Sequence, residues 1–283
     1  MIPNAVMRWL AKDGHGKVAT RQPVAGGCIN NGARLETETG STFFLKTNTN
    51  APEDMFAREA EGLVALKRAN GPRVPGPLLW DAEFILLDDL RPSGRAANYW
   101  ENLGRQLATL HQMTNPQFGF EHDNYLGTTP QPNPWTDNGY EFFAEHRLGY
   151  QTRLARDNGL LTRAESAEIT KLAGQLPQLV PPQTVSLIHG DLWGGNAIND
   201  ERGQPAIIDP AAHYGWAEAE LGMTVLFGGF PAAFYDAYMG TRHLEEGWQE
   251  RLPIYNVYHL LNHLNLFDAG YHSQVMGIVR QFS

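Results

Sequence analysis

The stretch that decides how this chain is read is Leu187-Ile188-His189-Gly190-Asp191-Leu192-Trp193-Gly194-Gly195-Asn196. Val185 to Ile188 are mostly apolar and β-favouring, so His189 falls where a buried strand runs out into a loop. Asp191 and Asn196 then stand five apart, with two glycines between them. A second short apolar run, Ala206-Ile207-Ile208, ends on the carboxylate of Asp209. Two strand ends that bring Asp, Asn and Asp to one point make an oxygen-only site, and hard oxygen donors suit Mg²⁺ rather than zinc. Aspartate and asparagine beside glycine also cap ordinary turns. Neither fragment decides alone, and the upstream half of the chain has to supply the rest.

Upstream, Val18 to Val24, Ala33 to Thr37 and Thr42 to Lys46 read as three antiparallel strands. The loop after the first carries Gly26, Gly27, Cys28 and Asn30. Missing Cβ atoms there would let backbone N–H groups approach phosphate oxygens closely, although a Gly-Gly pair is also common in plain hairpins. Pro52, Glu53 and Asp54 start a helix that Asn70-Gly71-Pro72 stops. Its apolar stripe is Phe56, Leu63 and Leu66. Glu59 lies on that stripe, whereas Glu61 points away. An acid on a buried face needs a cation, and the strand-terminal Lys46 supplies one. Phe84 to Leu87 is a further apolar strand, leading into the short polar connector Asp88-Asp89-Leu90-Arg91-Pro92.

Beyond residue 90 the pattern turns helical. Trp100, Leu103, Leu107 and Leu110 form one stripe, with His111 on it as a satisfied core residue. Pro130, Pro132 and Pro134 mark a rigid irregular loop, and Tyr140 to Arg156 resumes helix. Thr162-Arg163-Ala164-Glu165 is a capping box. After Asp209 come four helical segments, 217–227, 232–239, 247–267 and 272–281. In the third, Leu260, Leu261, Leu264 and Phe267 are expected to pack inward. His259 and His263 form an i, i+4 pair without a third ligand at zinc spacing. Glu218 and Glu220 are expected to be buried acids that bond the backbone of the 189–196 loop.

The totals bound the function. With 283 residues the chain divides into two unequal lobes, expected at 1–90 and 91–283. A net charge of -9 argues against a nucleic-acid surface, which needs a concentrated basic face. The single cysteine, Cys28, excludes an internal disulfide and fits a reducing compartment. No 18-residue apolar run and no long apolar N-terminal region occur, so a cytoplasmic protein without a membrane span is expected. As the lone thiol, Cys28 leaves a monomer or a redox-linked homodimer open.

Taken in order, Gly26-Gly27, Lys46, Glu59, the 88–90 connector, Asp191, Asn196 and Asp209 resemble the protein-kinase-like fold of aminoglycoside and small-molecule phosphotransferases. That fold is α+β, with a small antiparallel-sheet N-lobe and a larger, mainly helical C-lobe. The Asp-x-x-x-x-Asn spacing is that of the phosphotransferase catalytic loop. Longer strings resemble the fructosamine kinase (ketosamine 3-kinase) family: Gly26-Gly27-Cys28-Ile29-Asn30, His189-Gly190-Asp191-Leu192-Trp193, Asp209-Pro210-Ala211, Leu226-Phe227-Gly228-Gly229-Phe230 and His259-Leu260-Leu261-Asn262-His263-Leu264-Asn265-Leu266-Phe267. Phe118-Gly119-Phe120 and Asp123-Asn124-Tyr125-Leu126-Gly127 add to the likeness, which runs from about residue 20 to 270.

The resemblance implies transfer of a phosphoryl group from ATP to the sugar of a ketosamine or glycated amine, at its 3-hydroxyl. Asp191 would take the hydroxyl proton, and Asn196 and Asp209 would hold Mg²⁺. Lys46, positioned by Glu59, would steady the phosphates, while Gly26, Gly27, Cys28, Asn30, Asp88 and Leu90 surround the nucleotide. Trp193, His213, Tyr214, Trp216, Phe230 and His263 are candidates for the acceptor. An aminoglycoside-like or choline-like acceptor, and an ATP-binding protein without transfer, stay open at this point.

Overall fold

Strand alternation builds the small lobe around the cleft. In the computed structural model, which describes residues 1–24, 30–267 and 269–282, helix α1 (Asn4–Lys12) precedes five strands. These are β1 (Val18–Val24), β2 (Asn31–Thr37), β3 (Thr42–Thr47), β4 (Pro77–Asp81) and β5 (Phe84–Asp88), antiparallel in the order β1-β2-β3-β5-β4. Successive side chains point to opposite faces. Leu35, Phe43, Leu45, Phe84 and Leu86 therefore pack together against Val6 and Leu10 of α1. Phe44, Lys46, Ile85 and Leu87 are left for the other face, where helix α2 (Met55–Leu66) lies. The same period that hides Phe43 and Leu45 under α1 thus delivers Lys46 to the cleft.

The large lobe opens with α3 (Tyr99–Leu110) and the hairpin of β6 (Asn124–Leu126) and β7 (Thr129–Gln131). Next come α4 (Gly139–Glu141), a π-helical segment Phe142–Gly149, α5 (Tyr150–Asp157) and α6 (Arg163–Leu179). Strands β8 (Val185–Ile188) and β11 (His213–Trp216) pair antiparallel, and so do β9 (Ala197–Asn199) and β10 (Pro205–Ile207). Helices α7 (Ala217–Leu226), α8 (Ala232–Met239), α9 (Trp248–Phe267) and α10 (His272–Phe282) complete the lobe. Every residue of β8 is buried. Truncating its fully buried Leu187 to alanine would cost about 2–5 kcal/mol. The architecture is the two-lobed α+β arrangement expected from the sequence.

Several local expectations hold and a few change. The Thr162–Glu165 capping box is present in both directions, and His111 is a core residue whose Nδ1 meets the Tyr238 hydroxyl at 2.7 Å. The helix expected over Tyr140 to Arg156 is π-helical through its middle. The proline-marked loop hides the β6–β7 hairpin, in which Pro130 faces Tyr125. Phe267 does not pack inward: at the end of α9 it is 48% exposed, beside the cleft. No helix among the described residues is long and apolar enough to cross a membrane.

Candidate active site

A cleft of ≈ 690 Å³ runs between the lobes, and Lys46, Glu59, Asp191, Asn196 and Asp209 line its middle. Lys46 Nζ donates to Glu59 Oε1 at 2.5 Å and also to Asp209 Oδ1. Burial opposes the charge on Lys46, but the two carboxylates outweigh it and hold its pKa above the usual lysine value. The ammonium ion is therefore fixed between the helix acid and the acid of the 208–210 loop.

The 189–196 loop is held from behind. Glu220, on the buried side of α7, accepts from the backbone N–H of His189 at 2.5 Å and of Gly190 at 3.0 Å. Its second neighbour is His111 Nε2, at 3.5 Å. Burial would raise the Glu220 pKa, yet His111 and His189 reverse this and keep it below the ordinary range. Glu218 has a different job, since it accepts from Arg251 and from the Tyr255 hydroxyl. Gly190 cannot be replaced cheaply: its φ is +83°, and a Cβ there would lie 2.2 Å from the Ala211 carbonyl oxygen.

His189 ties the two functional loops together. Its Nδ1 accepts from the Asp191 N–H at 3.2 Å, and its Nε2 lies 2.8 Å from the Ile208 carbonyl. A carbonyl only accepts, so Nε2 carries the proton and the ring is neutral, in keeping with burial lowering its pKa. Asp191 is then fixed by Asn196, whose Nδ2 donates to its backbone oxygen at 2.8 Å and to Oδ2 at 3.2 Å. Burial first, then the Asp209 and Glu220 carboxylates, push the Asp191 carboxyl well above the ordinary range. A carboxylate with a raised pKa is a better proton acceptor near neutrality.

Asp209 sits in the left-handed region, φ 59°, between Ile208 and Pro210. The donors on this side of the cleft are hard oxygens of Asp209 and Asn196. Among the described residues no group of three or more His, Cys, Asp or Glu could hold a metal. Such a set fits a hard divalent cation that takes its other ligands from phosphate and water.

The two ends of the cleft differ. One end is lined by Phe44, Leu87, Asp88 and Leu90, among others. There Arg34 Nε bonds Asp89 at 2.6 Å and Asp88 accepts from the Gly76 N–H at 3.0 Å. Asn30 lines the cleft nearer Lys46, next to the Asn31–Thr47 pair, and accepts from Asn48 at 3.2 Å. Gly26, Gly27 and Cys28 lie outside the described residues. The other end is aromatic. Trp193 is 36% exposed and edge-on to Phe227 at 6.2 Å, while His263 packs against Phe227, Phe267 and Tyr271 at 4.7, 5.5 and 5.1 Å. The Trp193 ring folds over Gly195, where a Cβ would come within 2.3 Å of it. His263 Nδ1 meets the His259 carbonyl at 2.9 Å, which leaves Nε2 as an acceptor.

Four sequence candidates are not brought to this end. His213 and Trp216 are buried in β11, His213 with its Nδ1 on the Ala211 carbonyl and Trp216 among Phe118, Tyr140, Phe143 and Tyr255. Tyr214 packs on Trp135 and Phe120, and Phe230 is buried between Trp100 and Phe234. The resemblance made them acceptor candidates, but pairing of β11 with β8 turns His213 and Trp216 into the lobe and leaves Tyr214 outside the cleft, and Phe230 packs into the α3–α8 side of the core. The cleft instead presents Phe227, Asn262, Phe267 and the 124–127 hairpin segment, all within the strings that carried the resemblance.

The sequence model of fructosamine kinase matches residues 2–283. This chain belongs to the fructosamine kinase family. It is 42% identical over 270 residues to a probable ketoamine kinase of Synechocystis, covering 94% of this chain and 90% of that protein. It is 38% identical over 293 residues to the chloroplastic protein-ribulosamine 3-kinase of Arabidopsis thaliana, covering 100% and 88%. A crystal structure from Thermobifida fusca, assigned as a fructosamine-3-kinase, superposes with a TM-score of 0.89 at 32% identity over 99% of this chain and 98% of that one. An aminoglycoside phosphotransferase at 16% identity and a TM-score of 0.61, over 98% of each chain, shares the fold. As a member of this kinase family the chain is a phosphotransferase with an alcohol group as acceptor.

Proposed function

We propose that this kinase transfers the γ-phosphoryl group of ATP to O3 of the sugar of a ketosamine such as fructosamine, ribulosamine or erythrulosamine, in the cytoplasm. The observation that carries the reading is the position of Asp191. It lines the same cleft as the Lys46–Asp209 pair and the Trp193, Phe227 and His263 aromatics, feels the Asp209 charge, and carries Asn196 on its carboxylate. A hydroxyl presented from the aromatic end meets Asp191, which orients it and accepts its proton. Lys46, held by Glu59, binds the phosphates. Asn196 and Asp209 are the residues that would hold Mg²⁺, whose part is to neutralise charge on the phosphates. Little covalent chemistry is asked of the protein, so positioning supplies most of the rate.

In this reading the division of labour falls near residue 90, with nucleotide contacts before it and catalytic and acceptor contacts after it. Trp193 gives an apolar face to the sugar, and His263 offers a hydrogen-bond acceptor to the hydroxyl or ammonium donors of a ketosamine. The names of the ketoamine and ribulosamine kinases to which the chain is similar support this acceptor class. Phosphate is a better leaving group than hydroxide, and beside a ketose carbonyl this would favour later release of the amine, a role in deglycation.

The test is a panel of fructosyl-, ribulosyl- and erythrulosyl-amines incubated with MgATP. The phosphorylated carbon is located by phosphorus-coupled NMR. Turnover of one ketosamine with phosphate on O3 is expected. Phosphate on another oxygen would remove the O3 assignment, and turnover of aminoglycosides alone would remove the ketosamine.

A further inference from the structure

The β6–β7 hairpin touches both lobes. On its C-lobe side it is embedded in a buried amide network. Asn124 Nδ2 donates to the Ala212 carbonyl at 2.8 Å, and Gln131 Nε2 donates to Asn124 at 2.7 Å and to the Ala211 carbonyl at 3.0 Å. Asn133 Nδ2 reaches Asn124 at 3.0 Å, and Arg147 Nη2 reaches Asn133 at 2.7 Å. Arg147 is only 1% exposed and sits 4.4 Å over the Phe142 ring. A fully buried cation is expensive unless its donors are satisfied. Arg147 donates through Nη1 to the Pro132 carbonyl and through Nη2 to Asn133, while its Nε has no partner among the described residues; with Asn124 and Gln131 these bonds tie the hairpin to the segment that follows Asp209.

The opposite side of the hairpin grips α2, the helix that carries Glu59. The Tyr125 hydroxyl donates to Asp54 Oδ1 at 2.6 Å, at the start of that helix. Two turns on, Glu61 Oε1 meets Nδ1 of His122, just ahead of the hairpin, at 2.8 Å. Leu126 and Gly127, at the hairpin tip, line the cleft, and Asn262 Nδ2 bonds the Leu126 carbonyl at 3.4 Å. The hairpin therefore borders the aromatic end while holding the helix whose acid orients Lys46.

We propose that the β6–β7 hairpin is a strut that couples acceptor binding to the placement of Glu59, with Tyr125 and Asp54 as its positioning pair. An acceptor packed against Leu126 and Gly127 restrains the hairpin; the Tyr125–Asp54 bond passes that restraint to α2; and Lys46 is held more firmly for the phosphates. Thermodynamic reciprocity requires the nucleotide to tighten the acceptor by the same factor. This rests on the aromatic end being the acceptor site.

The experiment is calorimetric titration of the full chain with a non-hydrolysable ATP analogue and Mg²⁺, with and without fructosyl-lysine. It is run on the wild type, Tyr125→Phe and Asp54→Ala. In the wild type the acceptor should tighten nucleotide binding by about five-fold or more, and in both variants by less than about two-fold. Asp54 does not line the cleft and its side chain is 54% exposed, so Asp54→Ala removes neither a direct acceptor contact nor a core contact; it also releases Arg58, a cleft residue 3.5 Å away, which Tyr125→Phe leaves paired, so the two variants are read together. Wild-type coupling that survives Asp54→Ala overturns the strut, as does a wild type that binds both ligands independently. Failure of the wild type to bind fructosyl-lysine overturns the acceptor assignment, and the strut with it, and is seen separately in the acceptor titration.

Discussion

Glu220→Gln tests whether the catalytic loop is held from behind. The wild-type carboxylate is 1% exposed and accepts two backbone N–H groups, at 2.5 and 3.0 Å. Glutamine keeps one acceptor oxygen and turns an NH₂ donor toward the other N–H. One hydrogen bond to a charged group, about 1.5–3 kcal/mol, is lost, and a buried donor is left unpaired at about 1–3 kcal/mol. The fold should therefore lose about 2.5–6 kcal/mol, a fall in melting temperature of about 4–10 °C for a chain of this size. Relief of the clash moves Gly190, and Asp191 follows it. A displacement near 1 Å in a reacting group costs about 100-fold in rate. Scanning calorimetry and initial-rate kinetics well below the melting point measure the two effects, and KM for ATP should change little. Because the Glu220 pKa is lowered, its contribution is present above the ordinary glutamate pKa and lost as the pH falls through the folded value. The gap between wild type and variant should then narrow only in strong acid. A variant that melts with the wild type and keeps its kcat refutes the reasoning.

Asp191→Asn should leave nucleotide affinity near wild type in calorimetry while kcat drops by about 100-fold or more, and near-normal turnover would take Asp191 out of the mechanism. Because burial and nearby carboxylates raise the Asp191 pKa, and the deprotonated form is the working one, activity should be lost on acidification above the ordinary carboxylate range. An acid limb at the usual aspartate value in the kcat/KM profile would contradict this. Lys46→Ala and Glu59→Ala should each weaken ATP use, and their double mutant should be little worse than either, since the 2.5 Å pair acts as a unit; additive losses would disprove the link. Trp193→Ala should raise acceptor KM by about 2–10-fold with ATP KM unchanged, from the loss of about 0.5–1.5 kcal/mol of ring contact.

What was legible in the sequence was what local periodicity encodes. Glu59 could be placed because helical spacing put an acid on an apolar stripe, and Lys46 because a buried acid needs a cation and the third strand ended on one. The glycines beside Asp191 and the apolar runs before His189 and Asp209 marked two strand-to-loop exits. Pairing between distant segments was not legible. Strand β4 went unseen, because it begins at Pro77 and its burial is only partial. Strand β11 carries His213, Tyr214 and Trp216, which looked like cleft residues until pairing with β8 fixed their directions. The hairpin was hidden by Pro130 and Pro132, which on an edge read as loop. Phe267 followed the helical stripe inward on paper, but α9 runs out at the cleft, where its ring lies beside His263 and is half exposed.

Asp209 carries two constraints that act through different parts of the residue. Its backbone is left-handed, φ 59°, a conformation that glycine, asparagine and aspartate adopt more readily than other residues. Its side chain must be an anion, for Lys46 and for any cation in the cleft. Glycine and asparagine satisfy the first demand and fail the second; glutamate satisfies the second and strains the first. A substitution ranking by folding and a ranking by activity will therefore disagree at this position. Asparagine removes the charge while sparing the backbone, whereas alanine perturbs both at once. In a diverging lineage, position 209 is confined to a single residue type, and a chain that loses catalysis there retains its fold most easily by passing through asparagine or glycine.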